Sequence, residues 1–419
     1  MVRTSIFVIV SIVLVSSSCE KEELSITIDD EGVITQMSPL WQTSLSSDGT
    51  LIDGLLRRDV SYNGNILLGR QDKDNIRMAM LSSENGKILW EWDDLFEQDA
   101  DFDILVQHRY DKYFSFQHGS RAYTLDLENG TTVQKEEQEY VALNMAGIDE
   151  TYFTAGNFLL NEQGSYVGNV YEGTVGTPND KLLIAPNYSL EYVDGNNITG
   201  WISSAVPFRD SNGDILITYD YADAQPGWLG NTYVGLYNYT KQKSVYDKEP
   251  LALQVDAYAS GPAALYEDKA YYAPAKSIVC IDVYTGKRLW KRDFPEGFAF
   301  SGYMIADDKL LANCEDTYLY ALDPDTGGQL WRTKSSGTSS KMAYLNGVVY
   351  FTGGGDGLLH AVDTETGKHL WRIRSPDLER NSGAWFMRRV SVVPPAKDGE
   401  KGKVITSSYL SAFCYEAAR

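Results

Sequence analysis

Four histidines, four cysteines and 58 acidic side chains are the groups in this 419-residue chain whose types could do chemistry, and their spacing decides which chemistry. His108, His118, His360 and His369 show no metal-ligand spacing, so each reads as a surface or strand residue and no metal is expected. Cys280, Cys314 and Cys414 stand in strand-like runs, IVCID, LANCED and SAFCYE, with no close pair. They read as small buried residues and not as a disulfide framework. No Gly-x-Ser-x-Gly elbow is present, and the Gly-x-Gly patterns lack a following helix. Those two absences remove the acyl-hydrolase and dinucleotide readings. Carboxylates are plentiful enough for a fold to pair two of them for glycoside hydrolysis, but the sequence singles out none. Gly353-Gly-Gly-Asp356-Gly357-Leu-Leu-His360 can be read as a ligand loop or as a strand turn where crowded backbones need glycine. The second reading is preferred, and no catalytic residue is assigned.

The elements that must carry these groups are strands. The chain is 12% aromatic and 43% hydrophobic, with 28 Tyr and 36 Gly, a composition suited to a large core of strands and tight turns. A net charge of −21 repels phosphate backbones and argues against nucleic acid as a partner. The strongest signal is an internal repeat. Asp282-x-x-Thr285-Gly286-x-x-Leu289-Trp290 recurs around Asp323, Gly327 and Trp331, and again around Asp363, Gly367 and Trp371, the tryptophans being 41 and 40 residues apart. Looser copies occupy 82–90, with Asn85, Gly86 and Trp90, and 126–134, with Asn129-Gly130; a copy at 238–246 lacks the glycine. Two weaker turns, around Gln163-Gly164 and Gly195-Asn196, come one residue short. Each unit predicts a hairpin: Asp accepts backbone hydrogen bonds, Thr-Gly or Asn-Gly supplies positive φ, and Leu-Trp opens the next strand. One large indole per repeat can fill the gap between neighbouring sheets, burying on the order of 200 Å².

Repeats of about 40 residues built only of short strands mark a β-propeller. The D-x-x-T-G-x-x-L-W units resemble PQQ-like propeller repeats, found in quinoprotein dehydrogenases and in the lipoprotein of the outer-membrane barrel-assembly machine. The resemblance is strong over 258–374, recognisable over 64–134 and poor over 141–201. Strand-closing positions fall at Trp41, Trp90, Gln134, near Gly168, Trp201, Tyr246, Trp290, Trp331 and Trp371. The expected fold is therefore all-β, a propeller of eight four-stranded blades, with seven or nine open. Strands at 402–406 and 409–414 lack a closing Leu-Trp, whereas Leu40-Trp41 has no strands before it. An N-terminal strand should therefore join the last blade and close the ring.

The resemblance also frames function. Quinoprotein dehydrogenases hold PQQ over the channel with a vicinal Cys-Cys disulfide and a Glu/Asn/Asp set on calcium, and no Cys-Cys occurs here. No cofactor is expected, and the reading is a non-catalytic relative serving as a binding or scaffold module. The alternative is a PQQ-dependent dehydrogenase or another propeller enzyme, such as a carbohydrate-active one.

The N-terminus gives a compartment. A basic start, an apolar run from Ile6 to Val15 and three serines lead to Cys19, a pattern that resembles the lipobox of bacterial lipoproteins. Glu20-Lys21-Glu22-Glu23 follows, similar to the surface-export tether of Bacteroidetes lipoproteins. The expectation is a signal peptide at 1–18, a lipidated acidic tether at 19–37 and one propeller domain at 38–419. That places the protein on the bacterial outer membrane, periplasmic or surface-exposed, with membrane contact through the lipid alone. The partner is expected to be an envelope protein or a glycan. Its contact is sought in the 222–231 connection, which is longer than a tight hairpin needs and carries Trp228 and Leu229 at its tip.

Overall fold

The computed structural model describes residues 37–46, 55–56, 60–72, 75–94, 103–104, 107–118, 121–159, 166–186, 188, 199–224, 229–256, 261–298, 302–386, 389–397 and 399–419. Within them lie eight four-stranded antiparallel sheets and one short parallel pair, Leu55–Leu56 with Asp103–Ile104. Seven sheets run in chain order: the first blade spans 61–92, the second 107–137, the third 141–184, the fourth 199–256, the fifth 264–293, the sixth 303–334 and the seventh 343–374. The first strands of the second and third, the third and fourth, and the fifth and sixth blades touch one another, as first strands that line a propeller's axis do. Fourth strands form the outer wall, where Leu289 and Leu330 of the Leu-Trp pairs face solvent. The middle strands are buried almost throughout, as in Lys309–Cys314 and Leu358–Asp363.

The repeat motif builds a lock between blades. Asp323 Oδ1 accepts from Asp325 N, Thr326 N and Thr326 Oγ1 at 2.8–3.0 Å, closing the turn before the fourth strand. Gly327 then takes φ +69°, a conformation that side chains other than glycine resist. It has a second reason to be glycine: a Cβ there would stand 2.7 Å from the indole of Trp290, which belongs to the preceding blade. Trp290 Nε1 donates to Pro324 O at 2.9 Å, so the indole is fixed by a hydrogen bond as well as by contact. The same pairing joins Trp41 to Gly86, Trp90 to Gly130 and Trp331 to Gly367. The expected gap-filling indole is thus a specific clasp between one repeat's strand and the next repeat's turn.

Blades without the clasp use other chemistry. Tyr246 replaces tryptophan against Gly286 and donates its hydroxyl to Val283 O at 3.0 Å. Between the second and third blades, the Gln117 side chain bridges Tyr140 O at 2.7 Å and Ala142 N at 2.5 Å. Between the third and fourth, Tyr239 donates to Glu172 at 2.5 Å. The two middle closing positions expected from sequence are corrected here: the third blade closes with Thr177–Ile184, Gly168 lies in its third strand, and Trp201 lies in the first strand of the fourth. The turn before that closing strand is Val175-Gly176, with Gly176 at φ +73°. The turns sought at Gln163-Gly164 and Gly195-Asn196 fall outside the described residues.

Ring closure is as expected. The eighth blade has strands Ser391–Val393, Lys403–Ser407 and Ser411–Glu416, and Trp41–Ser44 completes it with Trp41 opposite Cys414 and Ser44 opposite Ser411. Leu40 N and Leu45 N add bonds of 2.7 Å to Cys414 O and Leu410 O. The C-terminus is fastened too, by Ala418 N to the Tyr350 hydroxyl at 2.9 Å and by an Arg419–Asp363 ion pair. Cys280, Cys314 and Cys414 are buried free thiols, each pushed up to about 12 by burial, in line with their reading as core residues.

Candidate functional site

The fourth blade departs from the repeat. Its strands are 11, 10, 10 and 14 residues long, against 3 to 6 in the fifth. Counted back from the equivalent positions Asn238 and Asp282, the third strand gains four residues at the end leading to 225–228. At about 3.3 Å per residue that is roughly 13 Å of extra sheet. The expected long connection between Ala222 and Asn231 is accordingly corrected to four residues, 225–228, because Asp223 pairs with Asn231 and Ala224 with Gly230. Asp, Gly and Asn read as loop formers by type, yet here the flanking first and fourth strands hold this stretch extended, with Asp223 opposite Gly200 and Gly230 opposite Val255. Leu229 therefore opens a strand instead of standing at a tip, while Trp228 falls outside the described residues.

One side of this extension is aromatic. Tyr188, Tyr221 and Tyr233 form a chain with ring centroids 5.3 and 5.6 Å apart. Asp247, at a bulge in the outer strand, accepts from the hydroxyls of Tyr219 at 3.2 Å and Tyr221 at 3.0 Å. Gly235 permits this, since any Cβ there would collide with the Tyr219 ring as it crosses the sheet. Burial, then the Asp247 charge, pushes both hydroxyls far above the ordinary phenol range, so they remain donors. Lys248, held at φ +64°, lies 3.7 Å from Asp223 and 5.3 Å over the Tyr233 ring. Tyr219 and Tyr221 are themselves buried, so the aromatic area this side can offer a partner is that of the partly exposed Tyr188 and Tyr233.

The other side holds Asp220, fully buried, with Ser204 donating to one carboxyl oxygen and no hydrogen-bond partner for the other. Desolvation pushes its acid up to about 7, with hydrogen bonds from Ser204 and its neighbours only partly opposing. A carboxyl that titrates near neutrality is capable of proton transfer, but this one has no exposed surface.

A second cluster lies in the seventh blade, at the glycine-rich stretch. Gly353–Gly357 is the turn between the second and third strands, and a Cβ on Gly355 would stand 2.6 Å from Ser336 O. The crowded-backbone reading of these glycines is borne out. Ser336, at φ +103°, brings its hydroxyl toward Asp356. Burial raises the Asp356 acid, but His360, Leu358 N and Ser336 outweigh it and hold it below the usual range. His360 Nε2 is 3.1 Å from Asp356 Oδ2, and His360 Nδ1 is 3.1 Å from His369 Nε2. Burial, then His360 and Arg372, pushes His369 down to about 3, leaving it neutral. Sequence spacing gave no sign of this pair, because nine positions and a bulge separate its members. Their equivalents in the sixth blade, Tyr320 and Gln329, were the available signal.

The motif residues are not gathered into a site; they are distributed around the outer wall, at most one clasp to an interface. Cys19 lies outside the described residues. Among the described residues no group of three or more His, Cys, Asp or Glu is placed to hold a metal, and no helix is long and apolar enough to cross a membrane.

Residues 315–407 match the family model described as outer membrane protein assembly factor BamB. No curated protein matches the chain. Among solved structures, BamB from Moraxella catarrhalis is 13% identical, covering 91% of this chain and 97% of its own, with a TM-score of 0.54. Quinohemoprotein alcohol dehydrogenase from Comamonas testosteroni is 11% identical, with coverage of 90% and 76% and a TM-score of 0.65. Saccharomyces cerevisiae Sqt1 is 9% identical, with coverage of 91% and 100% and a TM-score of 0.62. At these identities the likeness is one of fold.

Proposed function

We propose, on the premise that this chain is an eight-bladed propeller of PQQ-like repeats similar to BamB and to quinoprotein dehydrogenases, that it is a lipid-anchored, non-catalytic binding module at the bacterial outer membrane. The observation that carries the reading is the extension of the fourth blade beyond the repeat, with its chain of tyrosines. A ring that only needed to close would gain nothing from strands four to eight residues longer there than in the fifth blade, whereas a partner would gain contact area. An envelope protein fits this surface, consistent with the described role of BamB in outer membrane protein assembly.

The contact is proposed to include Trp228 and Leu229. Immobilised wild-type protein incubated with detergent-solubilised outer membranes should retain a specific protein. Trp228→Ser with Leu229→Ser should reduce that retention about tenfold or more, as expected for an aromatic anchor, with the melting temperature nearly unchanged. Equal retention by both proteins refutes this contact, and a large stability loss assigns the pair to packing. In the same preparation, PQQ with calcium should give no dye reduction with alcohols; saturable PQQ binding at micromolar concentration would replace the reading by the dehydrogenase one.

Cys19 is proposed as the acylated residue. Cys19→Ala should release the protein into the soluble fraction, and a variant that still sediments with membranes sinks the anchor.

A further inference from the structure

The seventh blade brings two of the chain's four histidines together nitrogen to nitrogen, with their rings tilted by 52°. Counted from the motif aspartates, His360 and His369 occupy the positions that Tyr320 and Gln329 hold in the sixth blade. Tyr320 donates its hydroxyl to Asp316 at 2.5 Å, and His360 meets Asp356 at the same four-residue offset. Contact with the turn carboxylate is therefore common to these two blades. The cross-strand imidazole pair is particular to this blade, where both positions have become histidine together.

The geometry fixes the roles of the nitrogens. Asp356 accepts from His360 Nε2, so the proton resides there and Nδ1 presents its lone pair toward His369. A carboxylate behind an imidazole in this way is the arrangement that orients metal-bound histidines. The 3.1 Å between His360 Nδ1 and His369 Nε2 also suits two ligands of one ion. Nitrogens each about 2.0–2.1 Å from a metal are roughly 2.9 Å apart at right angles and 3.4 Å apart at the tetrahedral angle.

We propose that His360 Nδ1 and His369 Nε2 together bind a transition-metal ion of the Zn²⁺ or Cu²⁺ class, with Asp356 holding His360 in the ligating tautomer. Loading moves the His369 proton from Nε2 to Nδ1, so the imidazole stays neutral and no net proton is released. No third His, Cys, Asp or Glu joins the pair among the described residues, and since His360 is buried while His369 is partly exposed, solvent completes the coordination from the His369 side. Arg372 stands near His369 and opposes the added charge, while Asp356 offsets it. The site is consequently exchangeable and weaker than a closed structural zinc site.

Titrating the purified, tag-free protein with Cu²⁺ should fill one site whose electron paramagnetic resonance spectrum shows coupling to two imidazole nitrogens, and Zn²⁺ should compete for it. His369→Gln and His360→Tyr install the residues that the sixth blade tolerates. Each should weaken binding of both metals about tenfold or more, and Asp356→Asn should do so without removing a ligand. Wild-type protein that takes up neither metal saturably at submillimolar concentration overturns the proposal. So does bound Cu²⁺ without imidazole coupling, a readout that holds even where a variant folds poorly, and so does affinity unchanged in His369→Gln.

Discussion

Deleting residues 38–45 should destabilise the ring by several kcal/mol, and Trp41→Ala alone should account for about 3–5 kcal/mol of it. The strand Trp41–Ser44 is the outer member of the eighth sheet, and without it Ser411–Glu416 becomes a bare edge. The buried Trp41 indole also clasps Gly86 of the first blade and donates to Ser83 O at 2.9 Å, so the deletion opens a blade and an interface together. Gln42 adds side-chain bonds of 3.3 Å to Asp377 and 3.2 Å to Ser411, both buried in the wild type. Thermal unfolding and gel filtration check the outcome: a lowered midpoint with a tendency to associate through the new edge is expected. A midpoint equal to that of the wild type would show that closure contributes no stability.

Asp220→Asn should stabilise the protein most in mildly alkaline solution and less as the pH falls, with no gain left below about pH 4. The wild-type carboxyl has its folded value pushed up to about 7 from 3.8. Between those values the folded state holds a proton that the unfolded state has released, so stability falls as pH rises through the window. Above it the full cost is present, at most about 4 kcal/mol, since each unit is worth about 1.4 kcal/mol. Tyr272 and Tyr303 face the same carboxyl and stay protonated throughout, so they contribute nothing to the slope. Asparagine resembles the protonated acid: its oxygen still accepts from Ser204, and no charge is buried at any pH. Unfolding in denaturant at about pH 5 and about pH 8 measures the difference between variant and wild type. A gain of similar size at both would show that ionisation of Asp220 is not its cause.

How far the fold could be read from the sequence depended on which residues hold each interface. Where Asp, Thr-Gly and Leu-Trp recur at fixed spacing, as at 282–290, 323–331 and 363–371, three constraints coincide: turn hydrogen bonds, positive φ and the indole's seat. Leu40-Trp41 carried the closing signal for the same reason. The third blade was opaque because Gln117 and the Tyr239–Glu172 pair do the tryptophan's work with residues common on any surface. The length of the fourth blade was hidden because strand pairing imposes no residue type on Asp223 or Asn231. The imidazole pair of the seventh blade needs the register of two strands across a bulge, which periodicity alone does not supply.

The closing strand also sets the order of events during synthesis. Gln42 finds its partner Ser411 only 369 residues later, so a chain that emerges N-terminus first carries its opening strand unpaired until nearly all of it has been made. At about 5–20 residues per second that wait lasts roughly 20–70 s. The seven blades built from consecutive strands can stack as they appear, each on the one before. The eighth cannot, and the last joint of the ring is therefore a long-range, late step, with the strand edge of Ser411–Glu416 and the turn of Gly86 both waiting for the same four residues.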